Sequence, residues 1–150
     1  MIRIITVGKL KEKFFVDATN EYMKRISKYS KIELIEVNDE DNNNFDAMDK
    51  EGKKILKHIK DDYVITLEIE GKMLDSIELS NLISSVNTYD SSIITFVIGG
   101  SLGLSDEVKS RANYHLSFSK MTFPHMLMRV ILLEQIYRSF KILNKEPYHK

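Results

Sequence analysis

The chain has 150 residues, 43% of them hydrophobic, which is enough to bury one sizeable core and too little for two. With no cysteine it can build neither a disulfide framework nor a thiolate metal site, and no apolar run, Val130 to Leu133 included, nears the roughly 20 residues of a bilayer crossing. Its 22 basic residues balance 22 acidic ones, yet from Lys109 onward eight Lys and Arg face only Glu134 and Glu146, a basic third that suits phosphate binding as well as it suits a solvated helix surface.

Met1 to Lys13 lacks the basic, then apolar, then small-residue succession of an export signal, so a cytoplasmic location is expected. Arg3 to Val7 is a β-branched run ended by Gly8, and Phe14, Phe15, Ala18, Tyr22, Ile26 and Tyr29 follow at helical spacing. Lys31 to Val37 predicts a second strand and the polar stretch Asn38 to Asn44 a loop. A helix through Met48, Ile55, Leu56 and Ile59 leads to a third strand, Tyr63 to Ile69, closed by Gly71. Leu79, Leu82, Ile83 and Val86 mark the next helix, and Ile93 to Ile98, apolar throughout, predicts the central strand. Ser105 can cap a short helix, His115 to Ser117 predicts a last strand, and Pro124 opens a helix reaching about Leu143. Five alternations of strand and helix predict one α/β domain over residues 1–150, its sheet mostly parallel and covered by helices on both faces. The first two turns of the last helix are nearly all apolar, so it is expected to lie deep in the fold or against a second copy of the chain; a homodimer is the expectation.

Two segments can carry chemistry. Val97 to Ser105 runs from the central strand through three glycines to a helix cap, at the sheet end where α/β proteins bind ligands, yet it matches neither GxGxxG nor GxxxxGK[ST]. A tight turn without a ligand explains it equally well. Leu116 to His125 gathers three hydroxyls, an aromatic pair and a helix start, enough to line a pocket or merely to turn the chain. No HxxxH pair is present, and Asp39, Asp41 and Asn43 imitate a calcium loop whose glycine and bidentate acid are replaced by Asn44 and Lys50, so no metal is expected. His125 and His149 are possible proton acceptors, and Glu134 with Arg138 is a favourable helical pair.

Taken in order, VIGGSLGLSDEV, LSFSKMTFPHMLMRVILLEQIYRSFKIL and the terminal PYHK, with ITVGKLKEKF and YVITLEIEGKML before them, closely resemble the RlmH family of SPOUT methyltransferases over essentially the whole chain. The resemblance implies a SPOUT fold whose C-terminal part threads into a trefoil knot, a rare departure from the rule against knots, and a homodimer. It also implies transfer of a methyl group from S-adenosyl-L-methionine to N3 of a pseudouridine in 23S ribosomal RNA, without metal or membrane; with no added RNA-binding module the catalytic face must grip the RNA itself, so assembled ribosomes are expected to be a better substrate than a free hairpin. The cofactor residues it implies are Leu67, Gly99, Phe118, Ser119, Lys120, Met121, Thr122 and Phe123. Chemistry and resemblance together nominate His149 as base, with Tyr148 and Arg138 positioning, across the dimer. Two other readings compete. A non-catalytic ribosome- or RNA-binding module would keep the fold and give no heat with the cofactor, and a flavodoxin-like protein would bind a flavin.

Overall fold

The structure, a computed structural model, describes residues 1–150. Ten elements follow in strict alternation: β1 (Ile2–Val7), α1 (Lys13–Ile26), β2 (Ile32–Val37), α2 (Ala47–Leu56), β3 (Tyr63–Met73), α3 (Ser76–Tyr89), β4 (Ile94–Ile98), α4 (Asp106–Arg111), β5 (Tyr114–Ser117) and α5 (His125–Leu143). All strand pairs are parallel, in the order β2-β1-β4-β3-β5. The flavodoxin-like order would place β3 next to β1, so the exchange of β3 and β4 sets this sheet apart from that fold.

Alternation along the strands divides the core in two. Ile2 and Ile4 of β1 and Ile94, Phe96 and Ile98 of β4 face a layer made by α1, α3 and α5, which contribute Ile26, Leu79, Ile83, Val86, Leu132, Leu133, Ile136 and Phe140. Ile5, Val7 and Val97 point the other way, onto Ile55 of α2 and Val108 of α4. Every residue of β4 is buried because it has a strand on each side and helices on both faces, as its unbroken apolar run predicts. Ser105 caps α4 as expected, accepting from Val108 N at 3.3 Å, and α3 opens with a capping box of Asp75 and Glu78 that its apolar spacing did not announce.

β3 departs from expectation. It continues past Gly71 to Met73, pairing with β5 in two registers separated by an irregularity between Leu67 and Lys72. A Cβ on Gly71 would stand 2.8 Å from the His115 carbonyl oxygen, so this glycine permits a close backbone approach within the strand instead of ending it.

The interior of α5 also differs. Arg129 is 1% exposed, the largest fully buried side chain, and reaches Glu36 at 2.6 Å and the Gly8 carbonyl at 3.2 Å. Within one chain the helix is not enclosed all round, since Leu127 stays exposed. The basic C-terminal third is correspondingly less free than its composition suggests. Arg111 serves the carbonyls of Lys60 and Asp62, Arg138 pairs with Glu134 and Lys141 with Glu146, because cations on packed helices find local acceptors before solvent.

Candidate active site

The carboxyl ends of β3, β4 and β5 open into a cleft of about 210 Å³. From β4 the chain enters the glycine turn, where Gly103 adopts φ +85° and its N–H meets the Gly100 carbonyl at 3.0 Å. A Cβ on Gly99 would lie 2.8 Å from the Gly103 carbonyl group, so the turn closes on itself only with glycine there. From β5 the second turn is held by its own hydroxyls: buried Ser117 donates to the Ser119 carbonyl at 3.1 Å, and Ser119 Oγ accepts from Met121 N at 3.0 Å. Pro124 then starts α5.

Leu67, Gly99, Phe118, Ser119, Met121, Thr122 and Phe123 all line this cleft, whereas Lys120 is exposed and outside its lining. The lining holds no Lys or Arg and a single carboxylate, Glu68. That carboxylate accepts from Thr66 Oγ1 at 2.6 Å and meets His115 Nδ1. Thr66, Glu68 and His115 escaped sequence reasoning, because they meet only when β5 pairs with β3; the acids in the alternating run Glu68, Ile69, Glu70 were the one available hint.

A second cluster gathers at the far end of α5. Arg138 donates to Glu134 Oε1 from Nη2 at 2.6 Å and from Nε at 3.0 Å, Tyr148 OH donates to the same carboxylate at 3.0 Å, and the guanidinium lies 4.7 Å over the Tyr148 ring. Arg138 Nη1 lies 3.2 Å from His149 Nδ1; in a neutral ring that contact leaves Nδ1 as acceptor and the proton on Nε2. Burial, followed by the hydrogen bond to Glu134, pushes Tyr148 up to about 12, so it stays a donor at neutral pH. Arg138, Tyr148 and His149 thus meet one another, but not the cleft of their own chain. Thirteen residues of helix separate Arg138 from His125 at the cleft, about 20 Å at 1.5 Å per residue.

An all-parallel sheet with its cleft at the carboxyl ends, a glycine turn on one side and a hydroxyl turn before a long helix on the other, defines a SPOUT-type α/β methyltransferase fold. The chain belongs to the SPOUT methyltransferases, within the branch named ribosomal RNA large subunit methyltransferase H. The family described as "Predicted SPOUT methyltransferase" matches residues 1–149. Ribosomal RNA large subunit methyltransferase H of Clostridium botulinum strain Langeland is 59% identical over 99% of both chains, and that of strain 657 is 58% identical over the same shares. Among solved structures, the tRNA (m1G37) methyltransferase of Aquifex aeolicus superposes with a TM-score of 0.60 at 14% identity, covering 99% of this chain and 74% of its own, a likeness of fold alone.

Proposed function

We propose that this protein uses S-adenosyl-L-methionine to methylate N3 of a pseudouridine in 23S ribosomal RNA on the assembled ribosome, as a cytoplasmic homodimer of single-domain subunits with a knotted C-terminal part. The observation carrying the reading is that the glycine turn and the hydroxyl turn, far apart in sequence, close one cleft whose lining offers a carboxylate and no cation. Such a lining suits a ligand with a cationic sulfonium and an ammonium, and it disfavours a phosphate-bearing dinucleotide. The cofactor fits there between the apolar walls of Leu67, Phe118 and Phe123 and the turns carrying Gly99, Ser119, Met121 and Thr122, with Lys120 left outside the lining. When bound, S-adenosylmethionine supplies an electrophilic methyl whose departure leaves a neutral thioether.

The protein's own residues handle the proton. N3 of the target carries hydrogen, and its electron pair forms the N–C bond only as that proton leaves. His149 is the proposed acceptor, at Nδ1; taking the proton there displaces Arg138, whose cation then stabilises the negative charge developing on the base. Tyr148, protonated and bonded to Glu134, fixes Arg138 rather than exchanging protons. Because about 20 Å of α5 separates this cluster from its own cleft, the partner subunit's cleft is the one it serves. The deciding measurements are calorimetric titration with S-adenosylmethionine and mass analysis of ribosomal RNA from cells lacking the protein. No binding heat, or an unchanged pseudouridine mass, overturns the reading. Equal rates on a free hairpin and on ribosomes remove the ribosome from it.

A further inference from the structure

Beside the cofactor cleft, and sharing Gly100, Ser101 and His125 with it, lies a second depression of about 250 Å³. Lys9, Lys11 and Glu12 from the loop after β1, Asp39 from the polar loop and Met126 from α5 also line it. The polar loop is fastened there, since Asn42 Nδ2 donates to Ser101 Oγ at 2.8 Å.

Glu51 of α2 is the one buried polar side chain in this lining, 3% exposed. Its Oε2 accepts from Glu40 N at 2.8 Å, while its Oε1 is buried with no hydrogen-bond partner. That free oxygen lies on the Gly100 side, 3.6 Å from where a Cβ on Gly100 would stand. An unpaired carboxylate oxygen is costly to bury, and a ligand N–H reaching it would recover the cost. Simple ions do not suit the depression: three carboxylates oppose a lone phosphate and two lysines oppose a cation. A ligand with an N–H edge at one end and an anionic backbone at the other suits it, which describes one nucleotide of an RNA. The volume falls below the range of about 300–1,000 Å³ filled by drug-sized ligands and is appropriate to a single base.

We propose that this depression receives the target base, and that Glu51 Oε1 accepts the N1–H of the pseudouridine ring, making Glu51 the residue that distinguishes pseudouridine from uridine. N3 must remain free for methylation, so the acceptor belongs to the other ring N–H; in uridine that nitrogen is bonded to ribose and has no hydrogen. Lys9 and Lys11, exposed at the rim, hold the adjoining phosphates. The inference rests on the methyl transfer proposed above.

The test compares wild type with Glu51→Gln on ribosomes from cells lacking this protein, and on ribosomes from cells that also lack the enzyme forming the target pseudouridine. In the variant the amide oxygen is drawn to Glu40 N, which turns an NH2 donor toward the ring N–H. Wild type is expected to prefer pseudouridine at least about tenfold in kcat/KM, and Glu51→Gln to lose that preference, while its S-adenosylmethionine Kd by calorimetry stays within about twofold. Retained preference, or an equal loss of cofactor affinity, overturns the role. Should Glu51→Gln fail to fold, Lys9→Ala with Lys11→Ala decides: KM for ribosomes rises and its salt dependence weakens with kcat kept, and an unmoved KM overturns the depression as the RNA site. Wild type inactive on both ribosomes refutes the methyl-transfer reading and this one together, whereas an active wild type matched by its variant refutes Glu51 alone.

Discussion

Gly99 and Tyr148 each carry one group that a single small substitution tests. A methyl at Gly99 collides at 2.8 Å with backbone rather than with a flexible side chain, so Gly99→Ala must open the turn. It is expected to weaken S-adenosylmethionine binding by about tenfold or more in calorimetry while the circular dichroism spectrum is kept. Tyr148 has its pKa raised to about 12, so its bond to Glu134 is complete below the ordinary tyrosine range and lost only as pH rises through about 12. Tyr148→Phe is therefore expected to lower the methylation rate by a factor that stays constant with pH up to about 10. Glu146 behaves in the opposite sense: hydrogen bonds from Lys141 and then Tyr29 hold it below its ordinary value of 4.5. That tether for the C-terminal tail is complete above the ordinary value and lost as pH falls through the lowered one, so amide protection factors in residues 145–150, taken relative to the intrinsic exchange rate at each pH, are expected to fall in acid, and Glu146→Gln should show the same fall at neutral pH.

Among the elements, α5 joins the cleft to the cluster of Arg138, Tyr148 and His149. Its first turn borders both the cleft and the neighbouring depression, while Arg129 fastens the loop after β1 through Glu36 and the Gly8 carbonyl. Removing one partner of so buried a pair typically costs about 3–5 kcal/mol, and since Glu36 keeps 29% exposure, Arg129→Met is expected at the lower end, about 3 kcal/mol, as a fall in the urea midpoint. An unchanged midpoint would mean that the pair contributes nothing. Periodicity placed α5 within a residue or two and identified its apolar character, but a charge in an apolar run reads as a surface residue unless its partner, here 93 positions away, is known. The same limit hid the second register of β3, whose cause is the approach of Gly71 to the β5 backbone.

In the whole molecule, the cleft and the Arg138, Tyr148 and His149 cluster lie at different places along α5. If catalysis joins the cleft of one subunit to the tail of the other, neither half-site variant can work in its homodimer. With S-adenosylmethionine held well below the Kd of Gly99→Ala, subunits carrying that change leave the cleft largely empty and His149→Ala subunits lack the proposed base, so each is expected to be nearly inactive alone. Unfolded and refolded together, they form mixed dimers with one intact composite site, restoring roughly a quarter of wild-type activity if pairing is random. No recovery would confine the site to one subunit and remove the dimer from the mechanism.

By itself the sequence determined the alternation of elements, the central position of β4, the cap of α4 and the two turns that line the cleft, because each depends on contacts within a few residues or on burial read from local periodicity. Tertiary structure alone decided the exchange of β3 and β4 in the sheet, the meeting of the glycine and hydroxyl turns, the pairing of Arg129 with Glu36 and the orphaned oxygen of Glu51. Those rest on contacts between positions far apart in the chain, whose energies depend on geometry that no local pattern encodes.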